Sequence, residues 1–142
     1  MSKKGFTLIE LLLVIAIIAI LAAGVILVIT PGERLKQARE STRLSHFESI
    51  ATAIHTKVLD CTTPTTCGSV ATFISSNCSP DANGVAEFGT SCASAARLPE
   101  PPKDPQTGTF YYIKALDTNR LKVWTTSTAD SQWNSEANAK IF

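Results

Sequence analysis

The chain has no excess of charge of either sign and little of the chemistry that enzymes use. Its 13 Lys and Arg residues stand against 12 Asp and Glu, a formal net charge of +1. Two of the thirteen are Lys3 and Lys4, so residues 6–142 hold 11 basic and 12 acidic side chains. That balance excludes nucleic-acid binding through bulk charge, and no direct nucleic-acid site is evident. The one local basic run (Arg34, Lys36, Arg39, Arg43) is interleaved with Glu33 and Glu40 and reads as a solvated helix face. No G-x-S-x-G nucleophile turn occurs, and no cysteine is set beside a histidine as a nucleophile pair requires. The two histidines, His46 and His55, are nine residues apart. On one helix they would point about 180° from each other, so they cannot share a ligand and read as surface residues. No nucleotide site, cofactor or metal is expected, and the chain reads as a non-enzyme.

Cys-x-x-Cys pairs are also missing, which argues against zinc for the four cysteines Cys61, Cys67, Cys78 and Cys92. An even number in a short window of a small domain predicts two disulfides and an oxidising compartment. Three pairings are possible; the most local joins Cys61 to Cys67 and Cys78 to Cys92. Asp81, Asn83 and Gly84 have a faint calcium-loop spacing. Aligning Gly84 with the turn glycine puts Thr90 where a bidentate Glu belongs, so an Asn turn is the ordinary reading. Asn77-Cys78-Ser79 matches an N-glycosylation sequon only formally, because its centre is a disulfide candidate. The Ser/Thr-rich loops could carry O-linked sugars.

What the chain does have is MSKKGFTLIELLLVIAIIAILAAGVILVIT. Leu11–Ile29 is uncharged and long enough to cross a bilayer as a helix. Lys3 and Lys4 before it keep the amino terminus in the cytoplasm. The run is too long for a discarded secretory signal, and the only small residue at a plausible cut near the charges is Gly5, so it reads as retained. Glu10 is the anomaly, because a carboxylate within a membrane segment costs several kcal/mol.

Pro31-Gly32 interrupts the apolar run. Thr30 suits an N-cap with Pro31 at the first helical position and Glu33 in the first turn. Leu35, Ala38, Leu44, Phe47, Ile50, Ala51, Ile54 and Val58 then recur at helical steps, with Lys36, Arg39, Glu40, Arg43 and Glu48 on the other face. Residues 61–97 read as a Cys-rich loop region with little regular structure, within which Val70–Ile74 could be a short helix or strand. LPEPP at 98–102 cannot sit in a central strand. FYYIKAL (110–116) and RLKVWTTS (120–127) alternate around Asp117-Thr118-Asn119 and predict a β-hairpin. Tyr111, Ile113, Ala115, Leu121 and Val123 would pack on Phe47, Ile50, Ile54 and Val58. A hairpin alone is marginal, so a third strand is expected near residues 140–142. The fold class is α+β: a long N-terminal helix, hydrophobic then amphipathic, packed on a small antiparallel sheet with disulfide-stapled loops.

The stretch KKGFTLIELLLVIAIIAILAAG resembles the N-terminal signature of type IV pilins and the pseudopilins of type II secretion. The resemblance covers residues 3 to about 30 and is specific in its order of basic residues, Gly, Phe-Thr-Leu-Ile-Glu and apolar helix. It implies a pilin-like fold and a prepilin peptidase that cuts between Gly5 and Phe6 and methylates the new Phe6 amine. It also implies that Glu10 pairs with a Phe6 amine in a filament core. The implied organisation is a leader at 1–5, a transmembrane and filament-core helix at 6–30, an amphipathic half at 31–60 and a globular head at 61–142, with the hairpin region at 108–142. The implied function is a structural subunit of a type IV pilus for adhesion, motility or DNA uptake. Its partners would be further copies of itself, the peptidase, and an assembly platform with separate ATPases. The subunit would sit as a single pass in the cytoplasmic membrane before assembly and lie outside the cell afterwards. A pseudopilin of a secretion apparatus is the alternative, and a monomeric membrane-anchored binding domain with an uncleaved helix is a second.

Overall fold

The computed structural model describes residues 5–28, 30–60, 68–127 and 131–142, with only the backbone of Leu27 and Val28. Cys61 and Cys67, and any bridge between them, lie outside the described residues. The chain divides into two compact units, Met1–Leu35 and Lys36–Phe142.

The first unit is built on α1 (Leu8–Val28), 21 residues without a proline or an internal charge beyond Glu10. At 1.5 Å per residue the helix is about 30 Å long, which matches the hydrocarbon thickness of a bilayer. By length and composition Leu8–Ile26 can cross a membrane. Every described side chain of α1 is exposed, from Leu8 at 80% to Ile26 at 73%. A second helix, α2 (Pro31–Leu59), starts on the proline, and the Thr30 carbonyl accepts the Arg34 amide at 3.4 Å. Proline suits this position because its missing N–H would have no partner there anyway.

The second unit packs a four-stranded antiparallel sheet, in the order β1-β2-β3-β4, together with α2 around one core. Strands β1 (Val85–Glu87), β2 (Tyr112–Ala115), β3 (Leu121–Trp124) and β4 (Lys140–Ile141) follow each other in space as in sequence. The hairpin register pairs Ile113 with Val123 and Ala115 with Leu121, while Ala86 lies opposite Ile113. These side chains therefore share the inner face, where Tyr111, Ile113, Leu121 and Val123 are fully buried with Phe47, Ile50 and Ile54 of α2. The expected hairpin, its inward stripe and the strand near residues 140–142 are all present. At the turn, Asp117 Oδ1 accepts the Asn119 and Arg120 amides, which closes the hairpin. Phe47 is the pivot of the core: its ring meets Tyr111 edge-on at 5.0 Å and Trp133 at 5.4 Å.

Two expectations need correction. The described part of the Cys-rich span, residues 68–97, is not mainly loop, because it holds α3 (Val70–Asn77), β1 and α4 (Thr90–Ala95). The reasons are local: Ser69 caps α3 by accepting the Thr72 amide, Val70, Phe73 and Ile74 bury one face, and Cys78–Cys92 ties the end of α3 to α4. The apolar stripe of α2 is also shorter than its periodicity suggests. Leu35 and Ala38 are exposed, and the buried face begins at Arg43.

Phe47→Ala removes the ring that both Tyr111 and Trp133 contact, and is expected to cost about 3–5 kcal/mol of stability. Chemical denaturation of the full chain in detergent, followed by tryptophan fluorescence, measures it; a loss below about 1 kcal/mol would contradict this account of the core.

Candidate processing and assembly site

At the amino end, Gly5 has nothing within 4 Å of where a Cβ would stand, and Phe6 is 79% exposed. Both precede α1 and are exposed. The Thr7 carbonyl accepts the amides of Glu10 at 3.2 Å and Leu11 at 3.3 Å and so starts the helix. Glu10 lies exposed in the first turn of α1, close in sequence to the Gly5–Phe6 bond. A carboxylate there also benefits from the positive end of the helix dipole.

The other candidates lie in the second unit and have structural roles. Asp81 Oδ1 accepts the Asn83 amide at 2.8 Å and the Val85 amide at 2.9 Å, while Asp81 N–H donates to the Val85 carbonyl. Gly84 takes the left-handed conformation that this closure needs. Asp81 and Asn83 thus form a turn that also occupies the outer edge of β1. Among the described residues no group of three or more His, Cys, Asp or Glu could hold a metal. Cys78 and Cys92 are joined to each other. His46, expected on the surface, is half-buried with Nδ1 2.9 Å from the Tyr111 hydroxyl, which donates to the Lys103 carbonyl at 3.2 Å. Burial lowers the His46 pKa against the opposing pull of the Lys103 carbonyl and Asp104.

The largest departure from the sequence reading is Arg43, which is not on a solvated face but has no solvent exposure. Its Nε donates to Asp104 Oδ2 at 2.7 Å and its Nη1 to Glu40 Oε1 at 2.6 Å. Its Nη2 reaches Asp104 Oδ1, Gln106 Oε1 and Ser127 Oγ. Burial works against the charge on Arg43, but the bonds to Asp104 and Glu40 outweigh it and raise its pKa. Burial likewise pushes Asp104 up, yet bonds from Arg43, the Gln106 and Thr107 amides and the Thr125 hydroxyl hold it at about 2. Arg43 stands four residues before Phe47 and seven before Ile50, on the same helix face as the apolar stripe, but its partner lies 61 residues away.

Comparison with known proteins adds one finding. Residues 1–26 match the family model of the prokaryotic N-terminal methylation motif. This motif fits the class III signal peptide of a type IV pilin or pseudopilin, and it points to a structural pilin-type substrate of prepilin peptidase. With the apolar α1, the motif is consistent with membrane anchoring. No curated protein and no solved structure matches the chain.

The methylation motif ends before the second unit begins, and that unit's acid stability follows from Asp104. A carboxyl whose folded pKa lies below its ordinary 3.8 stabilises the fold fully above that value and loses the contribution as pH falls toward about 2. Asp104→Asn is expected to remove this acid limb. It also leaves Arg43 without its main counter-charge, at a cost of about 3–5 kcal/mol at neutral pH. Denaturation midpoints measured between pH 2 and 7 test both effects; an unchanged acid limb in the variant would refute the assignment.

Proposed function

We propose that the chain is a structural subunit of a type IV pilus, cut between Gly5 and Phe6, methylated at Phe6 and polymerised through α1 into an extracellular filament. The observation that carries this reading is the methylation motif at residues 1–26 running into a helix whose described side chains are all exposed. A 21-residue helix that is Leu, Ile, Val and Ala apart from Glu10 and Gly24 cannot stay in water. Lipid covers them before assembly, and the α1 helices of neighbouring copies cover them in the polymer.

Glu10 follows from the same physics. The cut creates a cationic amine on Phe6, and in a filament core of low dielectric each such amine needs an anion. Glu10 of a neighbour supplies it. Because a buried charge left without its partner is strongly unfavourable, the pair sets the axial register of the subunits more than it adds net stability. The second unit, with its own core and the Cys78–Cys92 bridge, would coat the fibre in an oxidising exterior. Prepilin peptidase, an assembly platform and ATPases supply the processing and the work.

Expression with a cognate peptidase is expected to give sheared surface filaments whose subunits begin at N-methylated Phe6 by mass spectrometry. Assembled material that retains Met1 would sink the proposal. Glu10→Ala is expected to be cleaved normally and to lose assembly; wild-type filament yield from that variant would remove Glu10 from the mechanism.

A further inference from the structure

Asn83 is the asparagine of this chain that a glycine follows; the others precede Cys78, Arg120, Ser135 and Ala139. The order matters because asparagine is chemically labile, its side-chain amide carbon being open to attack by the backbone nitrogen of the next residue. A side chain on that next residue obstructs the approach, and glycine has none. Here the approach is clear: Asn83 is exposed, and nothing lies within 4 Å of where a Cβ on Gly84 would stand. The turn, however, ties up the nucleophile. The Gly84 amide donates to the Asp81 carbonyl at 3.0 Å. The amides on either side of it, of Asn83 and Val85, donate to Asp81 Oδ1 at 2.8 and 2.9 Å. The Asp81 carboxylate thus holds the Gly84 peptide in the turn, and its negative charge opposes loss of a proton from that peptide nitrogen.

We propose that Asn83–Gly84 is a self-modification site gated by Asp81. While the turn is closed the pair is latent. When it opens, the Gly84 nitrogen gives its proton to solvent and attacks Asn83 Cγ. The new N–C bond forms, the Cγ–Nδ2 bond breaks, and the amide nitrogen takes a proton and leaves as ammonia. The product is a cyclic succinimide. Water then opens the ring at one carbonyl to give aspartate or at the other to give isoaspartate, so no oxidant or cofactor takes part. Opening is a local event, because Asp81 and Asn83 are exposed and stand outside the core. Either product adds a negative charge beside Asp81, and isoaspartate also lengthens the backbone by a carbon. Both loosen the turn that occupies the outer edge of β1, so the conversion frees a strand edge without cutting the chain. None of these steps depends on the filament reading.

The full chain, incubated in detergent micelles at mildly alkaline pH and then peptide-mapped by mass spectrometry, reports the conversion directly. Its signature is the mass gain of amide to acid, carried by separable aspartyl and isoaspartyl peptides. Wild type is expected to convert slowly, and the same chain unfolded in denaturant gives the ungated rate. Asp81→Ala removes the acceptor of two amides and is expected to speed conversion at Asn83 about tenfold. The Gly84 and Val85 amides of that variant are expected to exchange hydrogen faster in parallel. Asp81→Asn keeps an acceptor oxygen without the charge, and its rate is expected to fall between those of wild type and Asp81→Ala. Equal conversion in wild type and a folded Asp81→Ala would overturn the gate. So would equal rates in folded and unfolded wild type, a comparison that holds even where Asp81→Ala fails to fold. Conversion at Asn83 no faster than at Asn119 in the unfolded chain would overturn the site itself.

Discussion

An arginine without solvent exposure, bonded to a carboxylate 61 residues away, organises the second unit. Neither partner could remain there alone, because an unpaired buried charge is far costlier than an unpaired neutral group. Arg43 therefore brings α2 and the turn after Lys103 to one place, and Ser127 and Thr125 draw the end of β3 to the same point. Asp104 also closes its own turn through the Gln106 and Thr107 amides, so one carboxylate holds loop, helix and sheet. The apolar packing of Phe47, Ile50 and Ile54 on the sheet supplies the burial, while this charged cluster selects one alignment of α2 against it.

The first unit follows the opposite rule. Its side chains bury nothing, and the helix is explained only by surroundings that other molecules provide. The area of exposed Leu and Ile is unsuited to water and is consistent with membrane anchoring. A carboxylate in such a helix is tolerable near its amino end, where the dipole and the free amides of the first turn favour negative charge. Glu10 stands in that turn and not in the middle of α1, where neither source of compensation reaches.

Much of this was legible in the residues. The 21-residue helix, the proline start of α2, the hairpin around Asp117 and its inward stripe all follow from short-range periodicity and turn chemistry. The methylation motif was legible for the same reason, since it occupies one contiguous segment, residues 1–26. What escaped was settled at long range. Arg43 looked like part of a solvated charged face because its partner is distant in sequence, and no local pattern announces a pair of that span. The elements inside residues 68–97 were hidden by composition: Ser69, which read as loop, caps α3, and α3 is held by the hairpin turn through Val70 N–H to the Thr118 carbonyl.

By itself, then, the sequence determined where α2 starts, which strand face turns inward and which segment is apolar enough for a membrane. Each of these rests on interactions within a few residues, or on the free energy of moving a side chain out of water. The tertiary structure alone decided that Arg43 is buried, that Cys78 joins Cys92, and that Asp81 caps a sheet edge where a calcium loop had been considered. Those outcomes depend on which distant groups arrive together, and desolvating a charge or closing a bridge is favourable only once the partner is already in place.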